Sequence, residues 1–329
     1  GFFATATSAG SSRGSLMSSY ALKGRVLLYE GRNTESAVAS RKALDIKSAL
    51  DANYGNIFLN DGTDEVIFDK QFQDPDKTHY GNVFNIPKST RIPSGWGGTN
   101  PTQNLVDEYE MKATGKMITD VTSGYDAANP YTGRDPRFYA SILYDGAAAY
   151  GVTIETRPGG GEHIDTGGDW TKTGYNLKKL IQQDPARVWG GTQHWVFMRV
   201  AEVHLNYAEA LIEAGTSLDL AKGAIDVVRQ RSQMPAIALG DQAEMRTKVR
   251  HERRVELAFE EHRFWDVRRW QIAGNPEVLN IYRMEMDTSG NFLGKSIWET
   301  RTWLDSHYLM PIPQSEMDKN KNLTQNSGY

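Results

Sequence analysis

Apolar positions near the start of the chain fall into helical stripes. Apolar and small residues over 15–30 face two sides of one predicted helix, and a second helix is predicted over 33–52. Only Gly31 and Arg32 separate the two helices, so we expect them to pack antiparallel. The stripe on the second helix comprises Ala39, Ala43, Ile46 and Leu50.

A second pair of predicted helices lies far downstream. A helix over 196–214 carries apolar residues on two faces and ends at Gly215, and the next helix stops before Pro235. Helical hairpins that are apolar on both sides resemble tetratricopeptide units, which bury their faces by stacking in groups of about three or more. Two pairs are recognisable here, so we expect earlier helices in a part of the protein that this chain lacks.

The residues between the two helix pairs have a different pattern. They are rich in Gly, Asn, Asp, Thr and Pro, with short strands predicted at 65–68 and 138–144. The fold class is therefore mainly α, a tetratricopeptide-like scaffold with a long loop-rich region that contains short strands. We expect one domain with four regions. They are a helical hairpin at 1–54, a loop-rich insertion on the ligand-binding side at 55–191, a second hairpin with a charged helix at 192–270, and an irregular C-terminal region at 271–329.

Composition narrows the functional classes. The 329 residues include no cysteine, which excludes disulfides, thiolate metal sites and cysteine nucleophiles. A net charge of -4 argues against a nucleic-acid partner, which usually requires a basic surface. The sequence has no apolar run near the roughly 18 residues of a membrane span and no recognisable signal peptide. Membrane attachment would then need a lipid, a partner or a missing part of the protein.

The densest charge lies over 250–269. Glu252, Glu256 and Glu260 share one helical face at four-residue spacing, where like charges repel each other. A glycoside hydrolase would use two of them as an acid/base pair. We favour a structural ion-pair network with neighbouring elements, to which Arg253 and Arg263 contribute.

No cofactor or metal site is predicted. His251 and Glu252 begin a zinc-protease motif, but position 255 is Val instead of the required second histidine. The other histidines, His194 among them, have no metal-ligand spacing. Loops rich in Asp and Asn are nevertheless compatible with a structural calcium ion.

Aromatic residues in loops are the better binding candidates. Flat aromatic rings offer a stacking surface to a ligand, for example to the C–H face of a sugar ring, while nearby amides can bind hydroxyl groups. Tyr80, Trp96 and Trp170 lie in polar loop segments, with Asn82 and Asn100 close by in sequence. We predict these five as ligand-binding residues. The alternative is that the rings fill gaps between loops and helices.

Four segments resemble the SusD/RagB family of outer-membrane lipoproteins from Bacteroidetes, and the resemblance runs from about residue 16 to the end of the chain. In chain order, the segments are Gly95–Asp107, Met198–Ala210, Arg250–Trp270 and Tyr308–Glu316.

The resemblance implies a role as well as a fold. Family members sit at the cell surface on a SusC-like TonB-dependent transporter and capture oligosaccharides, or peptides in some branches, without catalysis. They are held to the outer membrane by an N-terminal lipid, which belongs to the part of the protein that precedes this chain. Their binding residues vary, so the resemblance assigns no ligand contact. A peptide-binding protein and a glycoside hydrolase remain the alternatives.

Overall fold

The computed structural model describes residues 14–88, 95–164 and 168–329, and within these ranges the protein is mainly helical, as the sequence predicts. Short 3-10 helices lie at Tyr54–Phe58, Pro185–Arg187 and Asp305–Tyr308. The α-helices are α1 (Leu16–Tyr29), α2 (Asn33–Ile46), α3 (Gly81–Asn85), α4 (Gln103–Glu108), α5 (Pro136–Ser141), α6 (Val200–Glu213), α7 (Leu218–Arg231), α8 (Gln242–Glu256), α9 (His262–Arg269), α10 (Pro276–Leu279) and α11 (Gln314–Lys319).

The strands pair only two at a time in the described ranges. Each pair is antiparallel: β1 with β6, β2 with β5, β3 with β4, and β7 with β8. The strands are β1 (Val66–Lys70), β2 (Ile142–Leu143), β3 (Ala148–Ala149), β4 (Val152–Thr153), β5 (Asn176–Leu177), β6 (Trp195–Arg199), β7 (Asn280–Met286) and β8 (Phe292–Thr300).

Helices α1 and α2 form the predicted antiparallel hairpin. Ser15 caps α1 by accepting a hydrogen bond from the Ser18 backbone, and Ser36 Oγ donates to the Gly24 carbonyl across the helix crossing at 2.8 Å. Helix α2 ends at Ile46, so the prediction of a helix to residue 52 was wrong. Beyond Ile46 the backbone makes hydrogen bonds to other parts of the chain instead of continuing the helix. For example, Asp51 N donates to the Glu65 carboxylate at 3.0 Å.

Helix α6 is the central element of the scaffold. It packs against α1, α2, α7 and α8, and twelve of its fourteen residues are buried, which confirms the prediction of two buried faces. Its start differs from the prediction, since Trp195–Arg199 form strand β6 instead of a first helical turn. These bulky residues pair with Val66–Lys70, and tertiary pairing overrides the local helical pattern.

Helix α5 replaces most of the strand predicted over 138–144. Pro136 is the first residue of the helix, and the Asp135 side chain caps it by accepting a hydrogen bond from Arg137 N at 2.8 Å. Only Ile142 and Leu143 of the predicted segment are extended, and they pair with β5. The Asp-Pro start signal therefore outweighs the β-forming tendency of the residues that follow.

The C-terminal region is less irregular than we expected. It contains the β7–β8 ribbon, whose first strand is joined to α4 by Asn104, which donates to the Asn280 carbonyl at 2.9 Å and accepts from Tyr282 N at 2.8 Å. Within the described ranges, no helix has the length and apolarity of a membrane span.

Candidate functional site

Four large aromatic side chains form a continuous exposed surface on the loop-rich region. The residues are Tyr80, Phe84, Trp96 and Trp189, which are 58%, 43%, 45% and 54% exposed. Ring centroids are 6.4 Å apart between Trp189 and Tyr80, 6.3 Å between Tyr80 and Phe84, and 5.0 Å between Phe84 and Trp96. We call these four residues the aromatic surface. Exposed apolar groups that touch one another in this way usually mark a binding site.

Helix α3 supports the centre of the aromatic surface. Tyr80 immediately precedes this helix and Phe84 lies within it, joined by a hydrogen bond from Phe84 N to the Tyr80 carbonyl at 3.2 Å. Residues four apart in a helix lie on the same side, one turn above the other. The inner side of the helix is anchored by Val83, which is fully buried. The two outer rings therefore have little freedom to separate.

A short strap, residues 95–98, holds Trp96 against α3. Trp96 N donates to the Val83 carbonyl at 3.0 Å, and Gly98 N donates to the Phe84 carbonyl at 2.7 Å. The approach is so close that a Cβ atom on Gly95 would lie 2.3 Å from the Ile86 carbonyl oxygen. Glycine at position 95 is thus required for the strap to reach the helix.

Trp189 reaches the aromatic surface from a distant part of the chain. Val83 N donates to the Val188 carbonyl at 3.1 Å, and His79 and Gly191 exchange two backbone hydrogen bonds of 3.0 and 2.9 Å. These bonds fix the segment that carries Trp189 beside α3. Neither Trp189 nor Phe84 was among the predicted binding residues. Phe84 could have been found from its spacing to Tyr80, but no local signal indicates the pairing of 79 with 191.

Asn82 does not lie where a ligand could reach it. Its side chain is fully buried, and its Nδ2 donates to the Arg187 carbonyl at 2.8 Å. Its Oδ1 accepts from Gln193 Nε2 at 2.5 Å and from Gln182 N at 3.2 Å. Asn82 is therefore not the predicted ligand contact. It has a positioning role, because its amide joins its own segment to those of Gln182, Arg187 and Gln193 beside Tyr80 and Trp189.

Asn100 also bonds within the protein. Its Nδ2 donates to the Gly97 carbonyl at 2.8 Å, and its Oδ1 accepts from Lys172 N at 2.9 Å. The side chain is half-buried and uses both ends of its amide to join the strap to the segment after Trp170. Asn100 thus lies near the aromatic surface and helps to hold the strap in place.

Trp170 borders the aromatic surface on the side of the strap. Lys88 Nζ lies 5.3 Å from the centroid of the Trp170 ring and 3.5 Å from the Asp169 carboxylate. A Cβ atom on Gly97 would lie 2.7 Å from the Asp169 carbonyl oxygen, so this segment lies against the strap. The half-buried ring is held by a cation–π contact. Lys88 and Asp169 provide charged groups at this border.

The predicted charged face of α8 lies inside the protein. Glu256 is fully buried and accepts hydrogen bonds from Arg137 at 2.9 Å, from Arg199 at 2.6 Å and from Arg231. Burial raises the pKa of Glu256, but the three guanidinium groups lower it more, so the pKa is well below its usual range. A carboxylate held in this state cannot act as a general acid.

The neighbouring charged residues have the same kind of environment. Glu252 pairs with Arg137 at 2.5 Å and with Arg229 at 2.9 Å, and Glu260 pairs with Arg199 at 2.7 Å. Arg253 lies 3.3 Å from the Asp266 carboxylate and donates to Asn206 at 2.7 Å. These contacts join α8 to α5, α6, α7, α9 and β6, and they leave Glu252 and Glu256 without access to a substrate.

Arg263 lies outside this network, so its assignment there was wrong. It has no hydrogen bond or ion pair with any residue of the described ranges, and it lines a cleft of about 860 Å³ between α3, β6 and the start of α9. Burial, with a smaller contribution from the charge of Arg254, lowers the pKa of Arg263 to about 10. Glu260, three residues before Arg263, pairs instead with Lys179 and Arg199.

One group of side chains in the described ranges could hold a metal. Asp61, Asp69 and His194 each present one ligand atom, and these atoms lie within 4.8 Å of one another. The group shares no residue with the aromatic surface. The expectation of no metal site rests on sequence spacing alone. Residues 61, 69 and 194 are too far apart in sequence for spacing to indicate this group.

Comparison with solved structures supports the fold. A SusD-like protein from Bacteroides fragilis is 32% identical with a TM-score of 0.85, and a SusD-like carbohydrate binding protein from the same species is 28% identical with a TM-score of 0.82. Each comparison covers 98% of this chain and 67% of the other. This chain thus spans about two thirds of the length of these relatives.

Sequence comparison gives the same assignment. The SusD-like protein P2 of Formosa agariphila is 30% identical over 145 residues, which are 41% of this chain and 26% of the relative. The model of the SusD family matches residues 64–329, most of the chain. That stretch contains α3, the strap and the segment of Trp189. The resemblance drawn from sequence motifs is confirmed, and the chain belongs to the SusD family.

Proposed function

We propose that this protein binds an oligosaccharide at the aromatic surface and delivers it to a SusC-like TonB-dependent transporter, without chemical change to the sugar. The observation that carries the proposal is the continuous set of four exposed rings on a fixed support. Sugars present flat C–H faces to such rings, and fixed rings bind with little loss of conformational freedom. A carbohydrate-binding relative with 28% identity supports the same ligand class.

The expected location is the cell surface of the outer membrane, where a lipid on the N-terminal part of the full-length protein would anchor it. This part of the proposal rests on membership of the SusD family. Co-purification of the full-length protein with a SusC-like transporter encoded beside it tests the partner. Separation of the two proteins under mild detergent conditions would contradict the partner and would leave glycan binding to be judged independently.

Isothermal titration calorimetry with a panel of soluble α-glucans, β-glucans, xylans and acidic polysaccharides tests the ligand. We expect saturable binding to one glycan class, and Trp96→Ala or Trp189→Ala should weaken it at least tenfold. A tenfold loss corresponds to about 1.4 kcal/mol, within the range for removing a buried ring contact. The matched control is Trp298→Ala, because Trp298 is 44% exposed but lies on β8.

Two outcomes would contradict this function. Saturable binding of peptides, with no binding of any glycan, would favour the peptide-binding alternative. Release of shorter sugars during incubation with the bound glycan would favour a hydrolase. Glu252 and Glu256 favour an intact sugar, since both are buried in ion pairs with arginines and neither can reach a bound glycan.

A further inference from the structure

A second site is suggested by three residues from separate parts of the chain. Asp61 lies in the turn after the first 3-10 helix, Asp69 lies on β1, and His194 directly precedes β6. The pairing of β1 with β6 brings Asp69 opposite Val196 and so places His194 beside it. One oxygen from each aspartate and one ring nitrogen of His194 lie within 4.8 Å of one another.

The His194 ring is oriented as a metal ligand would be. Its Nε2 lies 2.7 Å from the Ile57 carbonyl oxygen, which can only accept, so Nε2 carries a hydrogen and donates it. The other nitrogen, Nδ1, faces the two aspartates, at the hydrogen-bond distance of 2.6 Å from Asp69 Oδ2 and at 3.9 Å from Asp61 Oδ1. A nitrogen and a carboxylate oxygen this close need a hydrogen or a cation between them. A donor bond from the second ring nitrogen to a backbone carbonyl is the usual way in which a metal-binding histidine is held.

Asp69 has an oxygen that the described residues leave without a hydrogen bond. The side chain is almost completely buried, its Oδ2 faces His194, and its Oδ1 has no hydrogen-bond partner in the described ranges. A buried carboxylate oxygen without a donor is unfavourable, because it has lost its hydration without replacement. A bound cation would supply the missing interaction.

Small movements of the two aspartates would adapt the group to a small divalent cation. Ligand atoms about 2.0 Å from a tetrahedral Zn²⁺ ion are about 3.3 Å from each other. Asp69 Oδ2, which is 2.6 Å from Nδ1, would have to move away by about 0.7 Å, and Asp61 Oδ1, at 3.9 Å, would have to approach by about 0.6 Å. Asp61 can adjust its position by rotation, since its side chain is 56% exposed. The exposure also leaves a fourth ligand position open to water.

We propose that His194 Nδ1, Asp69 and Asp61 bind a divalent transition-metal ion, with Zn²⁺ as the representative. An imidazole ligand favours Zn²⁺ and its neighbours in the first transition row over Ca²⁺ and Mg²⁺, which prefer oxygen alone. The ion would join the turn at Asp61 to the β1–β6 ribbon. Its role is therefore structural, and none of its ligands belongs to the aromatic surface.

Calorimetric titration of the full chain with ZnCl₂, after removal of bound metal with a chelator, tests the site. We expect one ion per chain and a higher melting temperature in its presence. Asp61→Asn should weaken binding at least tenfold and leave the metal-free melting temperature unchanged, because the exposed Asp61 carboxylate has only the 3.9 Å contact with His194 within the described ranges. His194→Gln should abolish the effect of the metal.

The control is His307→Gln, which removes a histidine near the C-terminal end of the chain and should bind Zn²⁺ as the unchanged protein does. Equal losses in Asp61→Asn and His307→Gln would mean scattered surface binding and would overturn the site. Unchanged affinity in Asp61→Asn or in His194→Gln, or no binding of one ion per chain, would overturn it as well. A titration with CaCl₂ that gives tighter binding than ZnCl₂ would overturn the assigned metal class.

Discussion

At the scale of single residues, burial decides what a polar side chain does. Asn82 has the amide group that sugar hydroxyls require, yet it makes hydrogen bonds to Arg187, Gln182 and Gln193 within the protein. Buried amides are satisfied in this way, since an unmade bond costs about 1–3 kcal/mol. Asn82 thus supports the rings that are exposed above it, and its contribution to binding is indirect.

Glu202 provides the first prediction. Burial raises its pKa, but the paired Arg25 guanidinium, with a smaller contribution from His262, lowers the pKa to about 2 from an ordinary value of 4.5. Its ionised form therefore stabilises the fold above pH 4.5, and this contribution declines with falling pH until it is lost near pH 2. A pKa difference of this size corresponds to about 3 kcal/mol in the free energy of unfolding.

We expect Glu202→Gln to flatten the acid dependence of stability. Urea unfolding at a series of pH values between about 5 and 2 should show the unchanged protein losing about 3 kcal/mol more than the variant, since Gln does not titrate. The remaining carboxylates titrate in both proteins and cancel in the comparison. Parallel curves for the two proteins would show that Glu202 has an ordinary pKa in the folded state.

At the scale of elements, the strap at 95–98 determines where Trp96 lies. A Cβ atom at position 95 would be 2.3 Å from the Ile86 carbonyl oxygen and 2.7 Å from that of Pro87, both of which belong to the backbone and cannot turn aside. Gly95→Ala should therefore move the strap away from α3. Trp96 would move with it, because Trp96 N donates to the Val83 carbonyl.

The expected result for Gly95→Ala is glycan binding weakened at least tenfold, with the helical circular dichroism spectrum retained. The matched control is Gly223→Ala on α7, where a new Cβ atom meets no atom within 4 Å. That control should bind the glycan normally and gain up to about 1 kcal/mol of stability, as an alanine does in place of glycine in a helix. Normal affinity in Gly95→Ala would show that the strap position does not matter.

The helices and strands also show which parts of the fold the hydrophobic pattern of the sequence can predict. The stripes on α2 and α6 predict helices because these faces meet the core at a regular period, and the structure confirms both. Strand β6 was predicted as helix because its residues continue that period, while its strand pairing with residues 66–70 is invisible locally. Trp189 was missed for the same reason, since only the bonds between His79 and Gly191 bring it beside Tyr80.

At the scale of the whole molecule, the buried ion pairs that stabilise the fold and the aromatic residues proposed to bind the glycan are different sets of residues. The buried ion pairs around α8 join the helical scaffold to the loop-rich region, and Arg137 of α5 is the clearest link. It contacts Asp135 at 2.7 Å, Glu252 at 2.5 Å and Glu256 at 2.9 Å, and it is almost completely buried. The aromatic surface lies outside these contacts.

Arg137→Met should accordingly reduce stability but leave binding by the folded molecules intact. Loss of the guanidinium leaves three buried carboxylates with fewer partners, which costs about 3–5 kcal/mol in the free energy of unfolding. Arg41→Met is the control, because Arg41 pairs with Asp45 on the exposed side of α2 and should lose at most about 0.5 kcal/mol. Urea unfolding measures the stability, and calorimetry with the glycan measures the affinity. A loss of affinity in Arg137→Met, at a temperature where the variant is fully folded, would show that the ion pairs also set the geometry of the aromatic surface.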